Sequence, residues 1–287
     1  GIGMRCFSVR GELHKTALLA DLAVEKKHRT VMPALVLTKG LRSHCQREFP
    51  LVYGFPNKHA EGLFSRLGYV QLGKMTRYAL VLRHADYAGR RIPNALAAAA
   101  AGWLADLPYR AAWQHDELAR RNQYAFETIG DFDARFDDLW RRAKRTYPIL
   151  GYRGADLLHW RFRESVGLDY EIVGLRDADG TTLRAYAVLE IEKNAIAHVA
   201  DVLGESEEHV ELLLTMVATR LRQRGFSSIS LRFFGSQRFV ALLMRLGFKE
   251  REANRMLIAD TSGALAESRS FIADPSNWYI LDGDEDS

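Results

Sequence analysis

The sequence predicts an α+β protein built from two tandem copies of one strand–helix–strand–helix–strand unit. Three observations carry that prediction. Apolar runs of strand length alternate with longer helical runs twice along the chain. The segment Asn57–Tyr69 (NKHAEGLFSRLGY) has a counterpart in Ser236–Phe248 (SQRFVALLMRLGF), and both end in Arg-Leu-Gly-aromatic. A longer helical stretch, 34–41 in one case and 207–224 in the other, precedes each segment in the same slot. The expected division is a first domain over 1–88, a helical linker over 89–124 and a second domain over 125–287.

In order along the chain, Arg5–Val9 and Ala17–Val24 read as strands joined by a turn at Gly11; the second, almost wholly apolar, suits a strand buried on both faces. Pro33 stands at a helix start, where proline is tolerated. Phe49–Tyr53 is a short strand, His59–Leu67 a helix ended by Gly68, and Tyr69–Gly73 and Arg77–Leu82 two further strands. The Ala-rich 90–118 stretch reads as one or two connecting helices. Helices over 136–145 and 156–162 are followed by a meander of strands (170–175, 183–191, 196–203) turning at Gly180. The long helix 207–224 ends at Gly225, a strand spans 228–234, a helix 237–246 ends at Gly247, and 249–259 is mostly strand. Trp278–Leu281 reads as a last short strand and Asp282–Asp286 as a solvated acidic end, with Trp160 and Trp278 as core aromatics.

Composition narrows the function. With 287 residues, 47% hydrophobic and 26% charged, the chain is neither disordered, collagen-like nor coiled coil. A net charge of +4 falls short of a nucleic-acid footprint but suits an anionic small molecule. The longest uncharged apolar run, Ala95–Leu104, is about half the ~20 residues of a membrane-spanning helix, and nothing at the amino end reads as a signal peptide. Two cysteines, Cys6 and Cys45, make no disulfide framework, so reduced thiols and a cytoplasmic location are expected. The histidines are scattered without metal-ligand spacing, so no metal site is expected.

The residues resemble the GCN5-related N-acetyltransferase superfamily. Asp21-Leu-Ala-Val24 followed by Arg29-Thr-Val-Met-Pro-Ala34 is similar to its central strand and pyrophosphate loop. Asn57, Ala60, Phe64, Gly68 and Tyr69 resemble its N-x-x-A-x-x-x-Y-x-x-x-G-F helix. In the second unit Arg153, Asp156, Trp160 and Arg161 look like the R-x-x-D…W-R run of tandem acetyltransferase-like proteins from bacterial polysaccharide clusters. The resemblance implies an acyl-CoA co-substrate, acetyl-CoA or another, and a small amine acceptor such as an amino sugar or amino acid. It places the cofactor on Leu22, Ala23, Val24, Arg29, Thr30, Val31, Met32, Pro33, Ala34 and Asn57. It also implies strands and helices ahead of Arg5 that this chain lacks, as in a fragment or processed chain.

Departures from the pattern matter. Met32 replaces the loop's first glycine, Pro33 removes one N–H, and Phe64 replaces a tyrosine acid. The stretch Asp201–Glu208 puts four acidic residues where a pyrophosphate would sit, which repels it. Asp21 is either a partnered carboxylate or the general base, and Tyr53 either a core tyrosine or the acid in place of Phe64. Asn57 caps its helix or touches the CoA arm. The function reads as an acyl-CoA-dependent N-acyltransferase, or as a non-catalytic binding or scaffold protein that keeps the fold. A peptidoglycan-bridge aminoacyl transferase would need a coiled-coil arm or basic stripe that the sequence does not show.

Overall fold

The computed structural model describes residues 1–28, 31–89, 92–120, 122–164, 169–192 and 195–285. The first half opens with a hairpin of β1 (Ile2–Val9) and β2 (Glu12–Leu19). It continues through α1 (Val31–Glu48), β3 (Leu51–Gly54), α2 (Lys58–Arg66) and β4 (Val70–Val81). The connecting segment holds α3 (Ala85–Ala88) and α4 (Ala95–Arg120). The second half runs through β5 (Tyr124–Ile129), α5 (Ala134–Ala143), β6 (Ile149–Gly151), α6 (Ala155–Phe162), β7 (Tyr170–Asp177), β8 (Leu183–Ile191) and β9 (Ile196–Gly204). It ends with α7 (Glu207–Gln223), β10 (Ser228–Gly235), α8 (Gln237–Leu246), β11 (Lys249–Thr261), α9 (Arg269–Ala273) and β12 (Trp278–Ile280).

The repeat seen in the sequence is a repeat of local structure. Asn57 and Ser236 cap α2 and α8 through their side-chain oxygens. Gly68 and Gly247 follow the two helices at φ 85° and 97°, a left-handed conformation that glycine adopts without steric cost. In each half two parallel strands flank the longer helix: β2 beside β3, and β9 beside β10.

The halves nevertheless do not form two separate sheets. All twelve strands among the described residues belong to one sheet, ordered β12-β6-β1-β2-β3-β11-β4-β10-β9-β8-β7-β5. Each half hands the strand after its repeated helix to the other: β11, which follows α8, pairs with β3, while β4, which follows α2, pairs with β10. The two donated strands also pair with each other. Because β12 pairs with both β6 and β10, eight strands close into a ring. Its interior is a core to which every ring strand contributes, including Phe7, Leu18, Tyr53, Met75, Ile149, Phe234, Leu257 and Trp278. A larger core under α5–α8 fills the second half, and Trp113 of α4 joins it, so the linker helix is docked there. A third, smaller cluster lies under α1 and α2 and includes Cys45, Val52, Phe64 and Ile258.

Several boundaries differ from the expected ones. The strand expected over 17–24 ends at Leu19, and the chain turns at Asp21, whose φ is 49°. The helix expected over 34–41 is twice as long, and the two strands expected within 69–82 are one. The acidic end is not wholly solvated: Asp284 and Glu285 are buried. Trp160, expected in the core, is 47% exposed and lies under the Arg5 guanidinium, whereas Trp278 is in the ring core as expected. Among the described residues no helix is long and apolar enough to cross a membrane.

Candidate functional site

The parallel pairing of β2 with β3 stops at Leu19 and Gly54. Beyond that point the strands part, and a cavity of about 630 Å³ opens between them. Its wall includes 18–22 from the β2 end, 54–58 from the β3 end, Leu37, Thr38 and Leu41 of α1, and Ala60 and Phe64 of α2. Leu18 belongs to the core inside the ring, whereas Leu19 packs with the cluster under the helices. Both line the cavity, so its wall at the β2 end draws on residues from each of the two clusters. The far wall comes from the second half: Asn254, Arg255 and Ile258 of β11, and Glu285.

The expected site residues divide into three groups. Asp21, Leu22 and Asn57 line the cavity. Asn57 is the cap of α2, accepting from the His59 and Ala60 amides at 3.1 Å each. Ala23, Val24, Met32, Pro33 and Ala34 do not line it; Met32, Pro33 and Ala34 belong to the first turn of α1, whose amino end also includes the backbone of Val31. Arg29 and Thr30 lie outside the described residues. Tyr53 requires a correction. It does not face the cavity but is fully buried in the ring core, edge-on to Phe7 at 5.0 Å, and its hydroxyl donates to the Asp284 carbonyl at 2.9 Å. A strand's side chains alternate between faces, and Tyr53 falls on the inward one. Phe64 does line the cavity, edge-on to Tyr69 at 5.3 Å.

The structure adds groups that sequence reasoning missed. Glu285 is 1% exposed; its Oε2 accepts from Arg255 Nη1, and its Oε1 has no hydrogen-bond partner among the described residues. Ile258, Arg255 and Glu285 thus form part of the wall that the second half contributes. The signal available was the strand reading of Trp278–Leu281, which brings the following acids within a few residues of a buried strand. Arg42 and Gln46 of α1 clasp Asp260 of β11, with Arg42 Nε at 2.7 Å and Gln46 Nε2 at 3.0 Å, and so pin α1 over the cavity. The hydrogen bond to Asp260 raises the Arg42 pKa further.

The equivalent gap in the second half is filled. Pairing of β9 with β10 stops at Val199 and Leu231, and beyond it the chain's own β12 pairs with Phe234 and Gly235. At Gly235 (φ 141°) a Cβ would fall 1.8 Å from the Trp278 carbonyl, so only glycine admits the strand. Tyr279 donates to the Val202 carbonyl at 2.9 Å, and Arg153 joins Asp201 to Asp284 in the interior. At the start of α7, Ser206 caps the helix and Glu205 is paired with Arg142 and Arg184, leaving acidic groups where a pyrophosphate would need donors.

Comparison with known proteins places the fold. No family model and no curated protein matches the sequence. Among solved structures, a GCN5-related N-acetyltransferase from Anabaena variabilis matches with a TM-score of 0.61 at 13% identity over 91% of this chain and 59% of its own. A probable N-acyltransferase from Enterococcus faecalis matches at 0.60 and 10% identity, over 91% of this chain and 57% of its own. The Saccharomyces cerevisiae N-myristoyltransferase with bound myristoyl-CoA matches at 0.53 and 10% identity, over 92% and 63%. The chain thus has the GCN5-related N-acetyltransferase fold and spans less than two thirds of the length of each of these three.

Proposed function

We propose that this chain is an acyl-CoA-dependent N-acyltransferase that works on a small amine acceptor in the cavity of its first half. The observation that carries the reading is the end of β2–β3 pairing at a cavity lined by both strand ends. Residues 21 and 22 have left strand pairing with β3, which frees backbone groups for the amides of a pantetheine arm, while Ala20 is bonded at both its N–H and its carbonyl to Gly1. The 18-residue α1 begins nearby, and its first-turn N–H groups and dipole suit a pyrophosphate. Arg29, Thr30, Val31 and Ala34 are proposed to serve that end, with Leu22, Ala23, Val24, Met32, Pro33 and Asn57 along the arm. Acetyl-CoA is the simplest donor.

On this reading the acceptor enters from the Arg255–Glu285 side. Its nitrogen attacks the thioester carbon, the C–S bond breaks, and the ammonium proton passes to a carboxylate. Asp21 and Glu285 both line the cavity and are the proposed bases. Such help is worth about 10²–10⁴-fold. Phe64 has no proton for the departing thiolate, which must take one from water or from the protonated base. The two halves, 1–88 and 125–287, read as diverged copies joined through 89–124, the second having given up its cleft, and the cytoplasm remains the expected location.

Calorimetric titration of the full chain with acetyl-CoA tests the reading. One-site binding that Gly54→Ala weakens is the expected result, and absence of binding overturns it. The filled second cleft and Phe64 favour the alternative of a non-catalytic binding protein; acetyl-CoA binding without thiol release in the presence of amines would select it.

A further inference from the structure

Residues 278–285 touch both halves, and Asp284 is where the contacts converge. Its side chain accepts from Arg153 Nη2 at 2.6 Å and from the Leu281 amide at 3.0 Å. Its carbonyl oxygen accepts from Tyr53 of the first half at 2.9 Å. The next side chain, Glu285, forms part of the cavity wall. Arg153 is 2% exposed, and every branch of its guanidinium is used. Nε donates to both oxygens of Asp201 at 3.1 Å, Nη1 to the Gly151 carbonyl at 3.0 Å, and Nη2 to Asp284. The Tyr186 hydroxyl also donates to Asp201, at 2.5 Å. Asp282 is held separately, by His198 Nε2 and by Arg232 Nη1.

A buried arginine between two carboxylates is costly to desolvate and is not needed to fill space. Here it does something an apolar side chain would not do: it fixes the backbone direction at Asp284, one residue before the cavity. We propose that Arg153 is a positioning residue, which clamps Asp284 inside the second half so that Glu285 takes its place in the wall of the first half's cavity. The second half thereby contributes a side chain to the cavity of the first. The value of that placement for catalysis rests on the acyltransfer reading above; the placement itself does not.

The test uses the full chain with Asp284→Asn, which keeps the shape and leaves Arg153 paired with Asp201, after a thermal melt confirms folding. Hydrogen exchange is followed at the amides of Leu281, Asp284 and Glu285. The side-chain ¹³C resonance of Glu285, assigned by its loss in Glu285→Gln, is followed in parallel. The expected result is exchange at least tenfold faster at 281–285, a shifted Glu285 resonance, and protection within twofold of wild type in β8 and β9. Unchanged exchange, an unchanged resonance, or a uniform loss of protection throughout the chain overturns the proposal. Acetyl-CoA titration separates the two readings: if the wild type binds none, the acyltransfer reading fails while the clamp stands or falls on exchange and resonance. If the wild type binds and releases thiol with glucosamine or lysine as acceptor, Asp284→Asn lowers kcat at least tenfold with KM for acetyl-CoA unchanged. An unchanged kcat despite a mobile tail removes Glu285 placement from the reaction.

Discussion

Replacing Arg153 by Met removes the cation that two buried carboxylates share. Asp201 and Asp284 are 1% and 7% exposed, and after the change Asp201 keeps the Tyr186 hydroxyl and Asp284 keeps the Leu281 amide. Breaking such a buried arrangement from one side costs about 3–5 kcal/mol. Unfolding entropy of about 2.1 cal/mol/K per residue over 287 residues makes that a fall in Tm of about 5–8 °C. The loss depends on pH, with a definite sign. Burial already pushes the Asp284 carboxyl above its ordinary value, against the pull of Arg153. Without the cation the Asp284 carboxyl rises further above its unfolded value, so the folded variant binds a proton that the unfolded chain has released. Its stability then falls as pH rises through that window and recovers as pH falls toward about 4. Scanning calorimetry at pH 7.5 and pH 5 is the assay, with the deficit against wild type smaller at pH 5. A deficit below about 2 °C at pH 7.5, or one that grows on acidification, refutes the reasoning.

Three other substitutions bear on the cavity. In Gly54→Ala the new Cβ would lie 2.9 Å from Leu19 Cβ at the point where the strands part; overpacking of about 1–3 kcal/mol and weaker acetyl-CoA binding are expected, from a melt and a titration. Asp21→Asn should leave Tm and acetyl-CoA affinity unchanged while lowering turnover by about 10²–10⁴-fold in a thiol-release assay; unchanged turnover assigns the proton to Glu285. Arg42→Met strips Asp260, 4% exposed, of its guanidinium and should cost about 1.5–3 kcal/mol in a denaturant titration, with α1 loosened over the cavity.

What was readable from sequence was local, and what was not depended on distant pairing. The Asn57–Tyr69 and Ser236–Phe248 match is written in a cap, an amphipathic helix and a glycine, all within thirteen residues. The strand meander and α7 were equally plain. Nothing in the Lys249–Thr261 segment says that it will pair with residues about 200 positions earlier, so the shared sheet was invisible. Tyr53 read as either a core tyrosine or an acid at the cleft because it ends an apolar strand, and only the ring's closure decides which face is inward. Glu285 looked like part of a solvated acid run because its partner Arg255 and the anchor Arg153 come from separate elements. Asp21, Leu22 and Asn57 line the cavity as one strand end and one helix start, features of local chain direction that a sequence displays.

The exchange of β4 and β11 has a consequence for synthesis on the ribosome. When Val81 emerges, β3 and β4 are complete, but they flank the place of a strand that ends at Thr261. At about 5–20 residues per second that strand arrives on the order of ten to forty seconds later. During the interval the nascent first half carries two unpaired backbone edges facing one vacant slot, the kind of surface that pairs readily with another chain. Factors that shield β edges should therefore raise the yield of this protein more than they raise that of a protein whose sheet closes in sequence order.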